Sequence, residues 1–339
     1  GTNWQANGNF TGLSAGTYTA SVRNQDDTCP TQVGVVNITE PTAITANVTE
    51  VDADCFGADN GQIQIAAVTG GQGGPYEYSI NGGTWTATAG GTTTVTGQAP
   101  GTYTVQVRNT NAPNCPEQVG VVTITQPAQL DATFSDVDVN CNGANNGSIT
   151  FAGATGGTST VEFSINNGTS FHGGPSFTGV APGTYTLVIR DASVTSCTRN
   201  LGTVTITQPA PLTATVNGTD ETPCNNSDNG EINFTGVSGG TSTVETSIDG
   251  GTTWSGTTSY TGLTAGTYPV AVRDASVTSC IRNLGNITIN EPAGLGVSVS
   301  STNETRCFES NNGTITFSGA SGGSGNYEYS IDNGSNWQT

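Results

Sequence analysis

Gly101-Thr-Tyr-Thr-Val-Gln-Val-Arg108 decides the fold. Apolar and polar residues alternate through Tyr103, Val105 and Val107, which is the two-residue period of a half-buried strand. The same Gly-Thr-Tyr block opens a similar run at Gly16, Gly183 and Gly266, with spacings of 85, 82 and 83 residues. Two further markers keep that interval. Ser-Ile-Asn/Asp starts at Ser79, Ser164, Ser247 and Ser330, and Thr-Ile-Thr-Gln-Pro or a close variant ends at Pro41, Pro127, Pro209 and Pro292. Self-similarity at a fixed period marks a tandem array. Its unit is about 83 residues long, with full units expected at 45–128, 129–211 and 212–294. Residues 1–44 form the C-terminal part of one unit and 295–339 the N-terminal part of another. Asn-Trp-Gln at residues 3–5 returns at 336–338, so the chain is expected to be an interior stretch of a longer array.

Within a unit, Gln62-Ile-Gln-Ile65, Tyr76-Glu-Tyr-Ser-Ile80 and Val122-Thr-Ile-Thr125 also alternate, and clusters of Gly, Asn and Pro separate them. About seven short strands and no segment of helical period predict an all-β, immunoglobulin-like sandwich repeated along an extended rod. Composition agrees with several small cores. Hydrophobic residues make up 33% of 339 positions, below the ~45–50% usual for globular domains, and 48 residues are glycine. Twenty-six acidic and seven basic side chains give a net charge of −19, which opposes binding to nucleic acid. No lysine is present, which removes Schiff-base chemistry and a P-loop. No apolar stretch is long enough for a helical membrane span, and no signal segment is visible, so any export signal is expected outside these residues.

Tyr18, Tyr103, Tyr185 and Tyr268 stand where a sandwich places its tyrosine corner, and a packing role is expected of them. Pro269 follows the last of these and removes a backbone donor, which predicts a local irregularity in that strand. Trp4, Trp85, Phe171, Trp254 and Trp337 recur a few residues after Ser-Ile-Asn/Asp. Capping of each small core is the reading preferred for them over a sugar-stacking row.

The combined motif is clearest in Cys307-Phe-Glu-Ser-Asn-Asn-Gly-Thr-Ile-Thr-Phe317, which continues as Gly-Gly-Ser-Gly-Asn-Tyr-Glu-Tyr-Ser-Ile331. Over essentially the whole chain it resembles the SprB repeat of very long surface proteins in gliding Bacteroidota. The resemblance implies a cell-surface adhesive filament exported by the type IX secretion system and carried by a motility machine. Its implied partners are further repeats of the same chain, a surface polysaccharide or solid substrate, and the motility and secretion machinery.

Eight cysteines occupy two phases of the repeat: Cys55, Cys141, Cys224 and Cys307 before the Asn-Gly strand, and Cys29, Cys115, Cys197 and Cys280 after the Tyr strand. An even, phased set argues for disulfides and an oxidising, extracellular location. In a sandwich the first and last loops lie at opposite ends, too far apart for the Cα separation a disulfide permits. Neighbours stacked end to end would instead pair Cys55 with Cys197 and Cys141 with Cys280, leaving the other four for units beyond these residues. Pairing within a unit (Cys55–Cys115, Cys141–Cys197, Cys224–Cys280) stays open if the first strand is placed differently.

Asp52, Asp54 and Asp59 are weak calcium candidates, because hard oxygen ligands on a loop suit that ion. Other units dilute the pattern to Asp136 and Asp138, Asp220 and Asp228, or Glu304 and Glu309, which fits a solvated acidic surface better. No cofactor is expected. One histidine, His172, and no nucleophile–base constellation leave no enzymatic reading. Two functional classes remain: an adhesive filament, or carbohydrate-binding or spacer modules of a secreted polysaccharide-active protein.

Overall fold

The computed structural model describes residues 4–26, 29–304 and 311–339. A partial unit contributes β1 (Gly16–Val22) and β2 (Thr31–Ile38). The first complete unit holds β3 (Thr42–Val51), β4 (Gly61–Gly71), β5 (Tyr76–Ile80), β6 (Thr86–Ala87), β7 (Thr93–Gln98), β8 (Gly101–Asn109) and β9 (Glu117–Ile124). The second runs through β10 (Ala128–Val137), β11 (Gly147–Gly157), β12 (Val161–Ser164), β13 (Ser176–Val180), β14 (Gly183–Asp191) and β15 (Thr198–Ile206). The third repeats that order as β16 (Ala210–Thr219), β17 (Gly230–Gly240), β18 (Val244–Ser247), β19 (Ser259–Leu263), β20 (Gly266–Asp274) and β21 (Ile281–Ile289). A final pair, β22 (Gly296–Thr302) and β23 (Thr314–Ser321), opens another unit. No helix occurs among the described residues.

Each complete unit is two antiparallel sheets face to face: β3-β4-β7 against β6-β5-β8-β9, β10-β11-β13 against β12-β14-β15, and β16-β17-β19 against β18-β20-β21. This is an immunoglobulin-like sandwich. Alternation decides which side chains are inside. Ile63 and Ile65 face inward between Gln62 and Gln64, meeting Val105, Val107 and Ile124 of the opposite sheet. The second unit repeats this with Ile149, Phe151, Leu187, Ile189 and Ile206, and the third with Ile232, Phe234, Val270, Val272 and Ile289. These cores are separate. The accessible surface is 20089 Å², against about 13,000 Å² for one globule of this mass and about 19,000 Å² for four independent domains of a quarter of it.

Glycine at the start of the second strand is set by packing. A Cβ at Gly61, Gly147 or Gly230 would lie 2.6, 2.9 or 2.6 Å from Cγ2 of Ile124, Ile206 or Ile289. Pro269 does not interrupt its strand, contrary to the expectation drawn from its missing donor. β20 stays paired with β21 through Pro269↔Asn286, and the bulge after Val270 recurs at the same place in the other units. The reason is local. At the equivalent position in the first unit, Thr104 N–H donates to the Asn81 side chain and not to a ladder carbonyl. In the third unit β18 has ended before that point, and only the Pro269 carbonyl is used, by Gly250 N–H at 2.9 Å.

Candidate functional site at the joints between units

The linkers are short and end in Thr-Gln-Pro, Thr-Gln-Pro and Asn-Glu-Pro. Each is fastened by the first loop of the unit it leaves. Asp52 Oδ1 accepts from Thr125 N–H at 2.6 Å, Asp138 Oδ1 from Thr207 N–H at 2.6 Å, and Asp220 Oδ1 from Asn290 N–H at 2.9 Å. Those hydrogen bonds hold the three carboxyls below the ordinary value of 3.8; the Thr207 hydroxyl contributes most for Asp138, and the backbone donor for the other two. The next linker residue closes the clasp. Gln126 Oε1 accepts from Gly57 N–H at 2.6 Å, Gln208 Oε1 from Gly143 N–H at 2.8 Å, and Glu291 Oε2 from Asn226 N–H at 3.0 Å.

The loop also reaches the following unit covalently. Cys55 is bonded to Cys197 with a Cα separation of 5.4 Å, and Cys141 to Cys280 with 5.6 Å. Each bridge is seated at the edge of the next core. Cys197 and Cys280 are buried members of the second and third cores, and Cys55 and Cys141 pack against those same clusters. Beside the bridges, Arg199 and Arg282 donate through Nη1 to the carbonyls of Leu130 and Leu212, both at 2.6 Å. A cleft of about 490 Å³ flanks the second joint, lined by Asn142, Pro211, Leu212, Cys280 and Arg282 among others. Cys29, Cys115 and Cys224 are exposed thiols, whereas Cys307 and Glu309 lie outside the described residues.

The calcium candidates have separate engagements. Asp52 holds the linker, Asp54 Oδ1 accepts from the Asn60 amide, and Asp59 is exposed. The metal-capable cluster among the described residues is instead Asp54, Cys55 and Cys197. Its two sulfurs are joined in the bridge and offer no thiolate. In the third unit the first loop is one residue longer, with Thr222 N–H bonded to Asn229 where Asp54 pairs with Asn60. Buried Glu221 accommodates the insertion. It stands where the other units have Ala53 and Val139, and its Oε2 accepts from Ser227 and Asp228 N–H at 3.0 and 3.3 Å.

The remaining marked residues brace the units. Tyr18, Tyr103, Tyr185 and Tyr268 donate their hydroxyls to the carbonyls of Ser14, Ala99, Ala181 and Thr264, at 2.7 to 2.8 Å. Trp85, Phe171 and Trp254 are half-buried, each with one ring face against an arginine: Arg108, Arg190 and Arg273 place Cζ 4.2, 4.1 and 4.7 Å from the ring centres. Trp4 holds Arg23 in the same way at 4.3 Å. Glu77, Glu162 and Glu245 on the adjoining strand bind those guanidiniums at 2.8, 2.7 and 2.7 Å. Trp337 is exposed.

One structural centre had gone unread. Asp191 and Asp274 end the Tyr strands, fully buried, and each accepts from the loop that follows the Gly-Gly of the second strand. Asp274 takes the N–H and hydroxyl of Thr241, Ser242 and Ser276, and the N–H of Val277. Burial pushes its carboxyl up, but these donors overrule burial and hold it far below the usual carboxylate range; Asp191 behaves alike. Gly157 and Gly240 adopt φ of 74° and 72° against the carboxylates, where an L side chain would be strained and would collide. The first unit puts Asn109 there, its Oδ1 accepting from Gln72 N–H at 3.1 Å.

Fold and joints together define a structural protein of tandem β-sandwich units, fastened one to the next. Residues 46–84, 133–170 and 299–336 match the family model of the SprB repeat, so the chain carries three SprB repeats. Each match ends one residue before the aromatic of its unit, so it covers first halves only, a narrower span than the whole-chain resemblance. No curated protein matches. Solved structures with similarity include invasin, a bacterial integrin-binding protein, at 14% identity and a TM-score of 0.29. That alignment covers 75% of this chain and 62% of invasin. Extracellular domains 3–5 of Drosophila OTK align at 11% identity and TM-score 0.22, covering 73% of this chain and 100% of that one. Domains 4–9 of the surface layer protein SbsC align at 14% and 0.19, covering 78% and 49%.

Proposed function

We propose that this chain is a stretch of an adhesive filament on the cell surface, whose units set an adhesion site away from the cell and transmit tension back to it. One observation carries the reading: the same fastening, a clasped linker plus a disulfide into the next core, is built at two successive joints. Gly/Ser-rich linkers behave as flexible coils; these are clasped by the first loop of the unit they leave, and that loop is bridged into the next core. Disulfides of this kind suit an extracellular compartment. The SprB resemblance supports gliding motility and type IX export as parts of this reading, with a surface polysaccharide or solid substrate proposed as the adhered partner. Immunogold electron microscopy of source cells, with antibody against two recombinant units, tests it. Labelled surface fibres that carry antibody-coated beads along the cell are expected; label confined to the medium overturns the reading in favour of secreted binding modules.

A further inference from the structure

The two disulfides interleave: Cys141 lies inside the loop closed by Cys55–Cys197, and Cys197 lies inside the loop closed by Cys141–Cys280. We infer that residues 55 to 280 form a covalent ladder with three alternative load paths, so that one backbone cut anywhere between them leaves the filament in one piece and its extension under load is capped. One path follows the backbone from Cys55 to Cys141 and crosses to Cys280. A second crosses from Cys55 to Cys197 and follows the backbone to Cys280. A third and shortest path crosses from Cys55 to Cys197, runs back along the backbone to Cys141 and crosses to Cys280. Connectivity alone requires this: every backbone bond between 55 and 280 is spanned by at least one of the two bridges, and those between 141 and 197 by both.

Extension follows from the same count. Unbridged, about 225 residues separate Cys55 from Cys280, roughly 790 Å when fully drawn out; bridged, the shortest path runs through the about 56 residues between Cys141 and Cys197 and the two bridges, roughly 200 Å. The ladder therefore limits stretching between Cys55 and Cys280 about fourfold while the units unfold. A pairing within each unit would leave every linker a single, unprotected strand. The mechanical value of the ladder rests on the filament reading above, but its existence does not, and the test below addresses connectivity alone.

A protease-recognition sequence is inserted after Gly90, Gly173 or Gly256 in three separate full-length proteins; all three glycines have open space around them. Free thiols are blocked with iodoacetamide, the protein is cleaved, and denaturing gels are run with and without reductant. Each cleaved protein is expected to stay one band until reduced. Cys197→Ser should release the Gly90 cut and leave the Gly173 cut joined, because Cys141–Cys280 still spans it. Cys280→Ser should release only the Gly256 cut. Pairing within units reverses the first pattern, since Cys197→Ser would then release the Gly173 cut and spare the Gly90 cut; that result overturns the proposal. Should Cys197→Ser fail to express, Cys115→Ser and Cys224→Ser serve, because both thiols are exposed. Under the ladder they leave the three cuts joined, and separation at Gly90 or Gly256 refutes it. Stretching single molecules in optical tweezers before and after dithiothreitol should show a gain of roughly 590 Å in final length, and an unchanged length would refute the cap.

Discussion

Replacing Asp274 with alanine should destabilise the third unit selectively. The carboxylate accepts from four backbone N–H groups and three hydroxyls, and the residue is 0% exposed. Hydroxyls can turn to other acceptors. The backbone donors of Thr241, Ser242, Ser276 and Val277 are fixed by the loop, and each buried donor left unpaired costs about 1–3 kcal/mol. Water entering the vacated space relieves part of this, and the desolvation cost of the carboxylate vanishes, so the expected loss is about 3–5 kcal/mol. A unit of this size has roughly 4–12 kcal/mol in total. Asp274→Asn should cost less, though its amide turns an N–H₂ toward donors that Asn109 does not face in the first unit. The sign with pH is fixed by the depressed carboxyl. Its contribution is complete above the ordinary value of 3.8 and is lost as pH falls from there toward the native value. The gap between wild type and Asp274→Ala should thus be widest at neutral pH and shrink below pH ~4. Hydrogen exchange read by mass spectrometry assigns the loss to a unit, and urea titration at pH 7 and pH 3 gives its size. A variant within 1 kcal/mol of wild type at pH 7, or a gap that does not narrow on acidification, would refute the reasoning.

Tyr185→Phe deletes one hydroxyl bonded to Ala181 at 2.8 Å, and about 1 kcal/mol should be missing from the second unit in urea titration. Arg273→Ala uncovers a face of Trp254 and frees Glu245; a loss of about 1–2 kcal/mol is expected, with a red shift of tryptophan emission as the direct readout. Gly230→Ala puts a Cβ 2.6 Å from Ile289 and 2.9 Å from the Leu263 carbonyl, which should cost about 1–3 kcal/mol in thermal unfolding. Reducing the two bridges, which close loops of 142 and 139 residues, should lower the stability of the joined units by up to about 5 kcal/mol per bridge on the chain-entropy model, seen as a lower Tm in dithiothreitol.

Strands were legible because burial on one face of a sheet writes a period of two directly into the sequence, as in Gln62-Ile-Gln-Ile65. The recurring Gly-Thr-Tyr block marked the repeating unit because it returns in phase, but the roles of Gly61, Gly147 and Gly230 against the opposite sheet had no signal of their own. The buried carboxylates of Asp191 and Asp274 were not legible, although their signal stood one residue beyond the stretch that decided the fold: Arg108, Arg190 and Arg273 are followed by Asn109, Asp191 and Asp274. Their donors are Ser, Thr and backbone groups in a chain full of both, so composition hid them. The linker clasp was missed for a related reason. Asp52, Asp138 and Asp220 do recur in phase, and so do Gln126, Gln208 and Glu291, but a search for metal ligands looks for acids gathered together, whereas these acids each meet a backbone N–H. Pro269 was misjudged because a missing donor matters only where the ladder uses it.

The physical logic of the joints follows from the poverty of the cores. With 33% hydrophobic residues and separate clusters, no unit has much apolar surface to offer a neighbour, and an apolar interface between units would compete with the cores for the few large side chains. Hydrogen bonds to linker backbone and a covalent bridge fasten neighbours without drawing on that supply. The bridge also couples folding across the joint, since Cys55 and Cys141 pack against the core of the unit that follows. A unit whose core melts therefore loosens the seat of its predecessor's first loop, while the disulfide keeps that loop within reach for refolding. An array built this way resists tension through connectivity and recovers through proximity, which lets each sandwich remain small and marginal.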